Sequence, residues 1–210
     1  MVTVTAQVTS TTDTAPVVVK VEKELSGAQW CIRFPGSKTI TTLEPRFQQG
    51  VSNFLLALQQ AGAQYHLNAT YRPPERAYLM TWCWMLANGQ VEPKAVPPRN
   101  GVLIEWVHAT KEKSIAAAKA MVREYRMTKL LTKPAGENSL HCVGEAIDVD
   151  INWEHLVSLK IKNAADKIVT ITSNPRTGMN TELWQVGRTY RVIKFFGGAA
   201  DKPHWSSTGK

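Results

Sequence analysis

The chain has 210 residues, 43% of them hydrophobic and 20% charged, and a formal net charge of +8. That is enough ordinary globular chain to bury a core. No window is apolar for long enough to span a bilayer, and three cysteines (Cys31, Cys83, Cys142) without paired spacing exclude a disulfide framework. The basic balance suits a polyanionic partner, with nucleic acid and the anionic bacterial cell wall both eligible, although no run of Lys or Arg forms a stripe.

In chain order, Met1 to Pro16 is rich in Thr and Val and lacks both a basic start and a long apolar run. It reads as a flexible arm and not as a secretory signal. Val17 to Val21 reads as an edge strand, and Gln29 to Phe34 as a short extended piece ended by Pro35-Gly36. Residues 1–25 thus form an N-terminal arm and 26–210 a single domain. Arg46 to Ala61 places Phe47, Val51, Phe54, Leu55 and Leu58 on one helical stripe, with Gly62 as its stop. Gln64 to Thr70 reads as a strand, and Pro73-Pro74 opens a helix over Glu75 to Ala87 that Asn88-Gly89 closes. Its Trp82, Trp84 and Met85 are core residues by their spacing.

Glu92 to Gly101, with three prolines, is a loop. Gly101 to His108 is compatible with strand or helix. Lys111 to Leu131 is a strong helix, and Pro134 to Asn138 is the loop that delivers Ser139. Further on, Trp153 to Lys160 reads as helical and Ile168 to Thr172 as a strand. Asn174 to Gly178 is a turn, Asn180 to Tyr190 a helix and Val192 to Phe196 a strand. Helix and strand signals mix without internal repeats, which gives α+β: a small central antiparallel sheet with helices packed against it.

The informative stretch is Ser139-Leu140-His141-Cys142-Val143-Gly144-Glu145-Ala146-Ile147-Asp148-Val149-Asp150-Ile151. From Ala146 it alternates strictly, with Ile147, Val149 and Ile151 on one face and Asp148 and Asp150 on the other. This is a half-buried strand with carboxylates at every second position. Gly144 marks a tight turn before it, so His141 can fold back beside Asp148. Near the C-terminus, Asp201-Lys202-Pro203-His204-Trp205 adds a second histidine. Two histidines and a choice of carboxylates make the ligand set of a catalytic zinc site, with three protein ligands and one position left for water.

Ser-x-His-x-x-Gly-x-Ala-x-Asp followed by a distant Asp-x-x-His-Trp resembles the LAS zinc peptidases. More narrowly, it resembles their D-alanyl-D-alanine carboxypeptidase and L-alanyl-D-glutamate endopeptidase branch, which includes phage endolysins. Tyr71-Arg72 is a third match, and the three motifs stand in the right order over about residues 45 to 206. The resemblance implies one zinc peptidase domain whose sheet carries the ion. It also implies a peptidoglycan stem-peptide substrate and a phage or prophage lysis role. Cleavage between L-Ala and D-Glu competes with D-Ala-D-Ala carboxypeptidase action. A wall-targeting toxin exported by a secretion system would look the same, and a non-catalytic virion-structural or wall-binding protein that kept the fold is the reading from another class.

Within that site, His141, Asp148 and His204 give two nitrogens and an oxygen to one Zn2+. Asp201, three residues before His204, is the candidate general base, and the resemblance supports it. Glu182 is a reserve, since other members use Glu-x-x-His. Arg72 can hold a developing oxyanion or a substrate carboxylate, its alternative role being a structural salt bridge. Tyr71 packs beneath it or touches substrate, Ser139 bonds a ligand from outside the metal, Trp205 walls the pocket, and Asp150 orients a ligand histidine or is solvated. Cys142 packs behind the site. His66, His108 and His155 carry no motif. The expected protein is a monomer with no nucleic-acid partner and no membrane insertion. It is made in the cytoplasm without a signal peptide and acts on the wall after release, injection or export.

Overall fold

The computed structural model describes residues 22–127 and 136–210. The arm as far as residue 21, with the Val17 to Val21 strand, lies outside them. The helix expected over Lys111 to Leu131 ends early, at Glu124, and Arg126 just beyond it sits at φ 54°, which a helix cannot continue through; residues 128–131 lie outside the described residues. The chain is α+β. Its main sheet has four antiparallel strands in the order β2 (Gln64–Ala69), β4 (Ala146–Asn152), β8 (His204–Ser206) and β7 (Ile193–Lys194). A hairpin of β5 (Leu159–Lys162) and β6 (Ile168–Ile171) stands apart, and β1 (Glu24–Leu25) pairs in parallel with β3 (Ile104–Glu105).

The helices follow from capping and periodicity. α1 spans Pro45–Gln60; Glu44 caps it, one carboxylate oxygen accepting from the N–H groups of Arg46 and Phe47 at 2.9 and 3.1 Å. The charge also opposes the positive end of the helix. The expected stripe is buried, with Val51, Phe54 and Leu58 at 0% exposure, each worth about 1.5–3 kcal/mol in apolar transfer. Gly62, at φ 83°, ends the turn after α1. α4 (Thr181–Thr189) is capped by Asn180, whose Oδ1 accepts from Glu182 and Leu183 at 2.9 and 3.1 Å.

Two apolar clusters result. One holds α1, α4, the inner face of β4 and the β5–β6 hairpin. The other joins α2 (Pro74–Ala87) and α3 (Lys111–Glu124) with Trp30, Ile104 and Trp106. Trp84 belongs to the second cluster, and Trp82 and Met85 pack against it partly buried, as their helical spacing implied.

Two further local expectations fail. Ala28–Ile32 is a 3-10 helix and not an extended piece; Trp30 and Cys31 reach the second cluster, while bonds such as Trp30 N–H to Gly27 O and Arg33 N–H to Trp30 O satisfy internally a backbone that has no partner strand. Trp153 to Lys160 is not helical. After a single turn from Trp153, the chain enters β5, where Leu159 and Ile161 are buried and Lys160 and Lys162 exposed. The period is two, and the hairpin partner β6 satisfies the backbone that a helix would have satisfied internally. The Gly101 to His108 ambiguity resolves as the two-residue strand β3.

Candidate metal centre

The site forms where β4 and β8 meet. β4 is central, with Ile147, Val149 and Ile151 turned into the core and Asp148, Asp150 and Asn152 turned out. Its register places Asp148 opposite His204 and Ile147 opposite Trp205. Because successive strand residues face opposite ways, His204 joins Asp148 on the site face and Trp205 goes to the core. Trp205 is accordingly 0% exposed and packs against Phe54 with ring centroids 5.5 Å apart and the planes tilted by 49°. It supports the sheet from behind and does not wall the pocket, which corrects the sequence expectation.

His141 arrives by a different route. Leu140–Val143 is a 3-10 helix capped by Ser139, whose hydroxyl accepts from His141 N at 3.4 Å. Ser139 therefore fixes the backbone of the ligand and not its imidazole. Gly144 follows at φ 72°; a Cβ there would sit 2.9 Å from Glu44 N and 3.0 Å from Thr42 O. That close approach lets Glu44 N–H donate to Gly144 O at 2.9 Å, tying the turn to the start of α1. Glu137, just upstream, accepts from Trp82 Nε1 at 3.0 Å and Arg99 at 2.6 Å, anchoring the incoming loop on the second cluster.

The Tyr71-Arg72 segment is stitched to His141 on both sides. His141 Nδ1 lies 2.7 Å from Thr70 O, and Arg72 N donates to His141 O at 3.0 Å. Thr70 is itself fully buried and held by Thr39 and Thr42. A β-bulge at Asn68, between Leu67 and Ala69, re-aims β2 beside Asp148.

Three ligand atoms converge. His141 Nε2 is 3.3 Å from Asp148 Oδ1 and 3.3 Å from His204 Nδ1, and His204 Nδ1 is 3.2 Å from Asp148 Oδ1. Both histidines are buried and Asp148 is half-buried. The outer ring nitrogens settle the tautomers. A carbonyl can only accept, so His141 Nδ1–H donates to Thr70 O, and His204 Nε2–H donates to Lys210 O at 3.0 Å. Neutral rings held this way turn two lone pairs toward a carboxylate oxygen. Three electron-rich atoms at that spacing repel unless added protons or a cation share the space between them. The group could therefore hold a metal ion, as the sequence expected of these three residues.

Burial works against the charge on Asp148, but with those added protons on the inward nitrogens, hydrogen bonds from and proximity to His141 and His204 outweigh it and hold the carboxyl below the usual range. Asp201 ends the 3-10 helix Gly198–Asp201. It is not one of the mutually close ligand atoms, yet Asp148, His204 and His141 all act on its charge. The protein packed around its carboxyl and the negative charge of Asp148 raise its pKa, although the residue keeps solvent contact.

Arg72 is half-buried. Burial lowers its pKa, while Asp148 and Asp201 are among the groups that pull it back up. Among the described residues its guanidinium makes no ion pair, so the structural salt bridge weighed from sequence is not what holds it. Tyr71 is half-buried beside it.

The remaining candidates stay out of the cluster. Asp150 is exposed and accepts from Asn68 Nδ2 at 2.7 Å; two residues along the strand it is too far on to orient either histidine. Glu182 accepts from the Ser173 hydroxyl at the start of α4, a surface role. His108 pairs with Ser26 at 2.9 Å and His155 with Gly62 O at 3.1 Å, while His66 is exposed on β2. Cys142 is a buried free thiol, its pKa raised by burial, and does not present a thiolate.

Three contributors escaped sequence reasoning. Thr70 and Lys210 act through main-chain oxygens, which any residue type supplies, so no signal marks them. Lys194 is 3% exposed on β7, and its ammonium donates to His204 O at 2.9 Å, Asp201 O at 3.3 Å and Lys202 O. Burial brings its pKa down to about 8 against the pull of Asp201 and Asp148. It ties the segment carrying Asp201 and His204 to the neighbouring strand.

No family model matches the chain, and no curated protein or solved structure matches it.

Proposed function

We propose that the chain is a zinc metallopeptidase that hydrolyses peptide bonds in bacterial peptidoglycan stem peptides. The observation that carries the metal is the triangle of His141 Nε2, Asp148 Oδ1 and His204 Nδ1, with edges of 3.3, 3.3 and 3.2 Å. Ligands about 2.0–2.1 Å from a tetrahedral zinc stand about 3.3 Å from one another, which is this spacing. Calcium and magnesium prefer sets made of oxygen, whereas two imidazoles and a carboxylate suit zinc. The wall substrate is supported by the order and spacing of the three motifs, which resemble the LAS peptidases, and by the net charge of +8.

When bound, zinc supplies a Lewis acid for a scissile carbonyl and lowers the pKa of water at its open position to about 7. The chain's own groups do the rest. Asp201 takes the proton that the attacking water loses and returns it to the leaving amine as the C–N bond breaks. Its raised pKa favours holding that proton between the two steps. Arg72, free of any ion pair among the described residues, directs its guanidinium charge to a substrate carboxylate or to the oxyanion that develops. Thr70 O and Lys210 O keep the imidazoles in the tautomers that leave lone pairs inward.

Metal analysis of the purified chain should return one zinc per molecule. Mass spectrometry of peptidoglycan digested by the protein should show a single type of cut peptide bond, which also names the bond. Asp201→Asn should keep the zinc and lose the cutting. Wall fragments that stay intact under a zinc-loaded chain would refute the peptidase.

A further inference from the structure

β4 loses its neighbour partway along. β8 accompanies it to Asp148, and the last bond on that edge runs from Val149 N–H to Pro203 O at 2.9 Å. An antiparallel pair would return a bond to Val149 O, but proline has no N–H. The edge is taken up again further on, where Gly178 N–H donates to Ile151 O at 2.9 Å and Trp153 N–H to Arg176 O at 3.0 Å. The N–H and C=O of one strand residue point the same way, so Ile151 N–H opens on the same side as Val149 C=O. Between Pro203 and Gly178, one acceptor and one donor of a central strand are left without a backbone partner among the described residues. Such groups are rarely left unpaired.

A cleft of about 540 Å³ lies over this gap, lined by Asp150, Asn152, Pro175, Thr177, Met179 and Lys202 as well as the strand itself. That volume is in the range of small-ligand sites. It begins at Val149, the strand residue after Asp148, and Asp150, the next side chain on the face of Asp148, is about 7 Å further along. Asp150 is engaged by Asn68, and Lys202 is the cation of the cleft, with no ion pair among the described residues.

We infer that this cleft binds the acidic stem peptide in extended form. One peptide residue lies against β4, giving its N–H to Val149 C=O and taking Ile151 N–H on its own carbonyl, while Lys202 receives a carboxylate. Main-chain pairing reads the peptide group and ignores the side chain, so selection falls to Lys202 and the Thr177–Met179 wall. The inference rests on the peptidase reading and adds to it where the length of the substrate runs: along β4, away from the metal ligands.

The test uses zinc-loaded Asp201→Asn protein titrated with a stem tetrapeptide, following amide hydrogen exchange residue by residue. Exchange at Ile151 should slow at least about tenfold when peptide binds, as expected of a newly made main-chain bond. In the active chain, Lys202→Glu and Thr177→Trp should raise KM for the tetrapeptide at least about tenfold while zinc content stays at the wild-type level. If the peptide is cut with unchanged KM by a folded Lys202→Glu chain and Ile151 exchanges as before, the cleft assignment falls and the peptidase stands. If the wild-type chain neither binds nor cuts the peptide, both fall. Should Thr177→Trp fail to fold, Lys202→Glu and the Ile151 amide decide the matter.

Discussion

Asp148 and His204 face each other across the β4–β8 ladder, Oδ1 to Nδ1 at 3.2 Å, although they are 56 residues apart in the chain. Both lie on the side of the sheet opposite Trp205, so the register that buries the tryptophan also assembles the candidate metal centre. Asp148→Asn keeps the shape and removes the charge. It should lower zinc affinity by more than the roughly 10–100-fold typical of losing an outer partner, with little change in melting temperature. Isothermal titration with zinc and a thermal melt in chelator measure the two effects separately.

His204 is held from behind by the main-chain oxygen of Lys210, which also accepts from Ser206 Oγ at 3.0 Å. Removing Gly209 and Lys210 frees the ring to rotate and to change tautomer. Zinc affinity should fall by about 10–100-fold, and Thr208→Ala in the unshortened chain should leave it unchanged. Equal affinities in the shortened and unshortened chains would show that Lys210 does not set the imidazole.

Lys194 bridges three carbonyls of the segment that carries Asp201 and His204. Lys194→Met leaves those oxygens short of a donor and should cost about 1–3 kcal/mol of stability. The pH dependence follows from burial, which holds the folded pKa at about 8 against an ordinary 10.5. Between those values the unfolded chain keeps a proton that the folded chain has released. The contribution of this lysine to stability therefore rises with pH across that window and is flat below it. Urea titrations of wild type and Lys194→Met at several alkaline pH values should show the gap widening upward.

Gly144 combines φ 72° with a backbone contact that leaves no room for a Cβ. Gly144→Ala should destabilise the fold by about 1–3 kcal/mol and weaken zinc binding as well, because the turn that aims His141 is the part displaced. Denaturant unfolding and metal titration on one preparation would show whether the two losses travel together.

Arg72 has no ion pair among the described residues and lies in the fields of Asp148 and Asp201. Arg72→Ala should leave stability within about 0.5 kcal/mol and cut kcat/KM by about 100-fold or more. Arg72→Lys should restore only part of it, since an ammonium cannot grip a carboxylate through two parallel bonds. A large loss of stability with intact turnover would make the residue structural.

Alternation in residues 146–151 and the apolar stripe of 47–58 are properties of the chain itself, so β4, α1 and the pairing of a turn glycine with His141 were readable before any coordinates. The three candidate ligands were legible for the same reason, because histidine and carboxylate announce their chemistry by residue type. What only the tertiary structure decided depends on partners. Trp153 to Ser158 turned and Leu159 to Lys162 took a strand because β6 was there to pair with it, and Trp205 turned inward because register assigned the outward face to His204. The tautomers were set by Thr70 and Lys210 through oxygens that every residue carries. Side-chain identity states what a residue can do; which neighbour it meets, and therefore which of its atoms is left free, is fixed only by the packing of segments far apart in sequence.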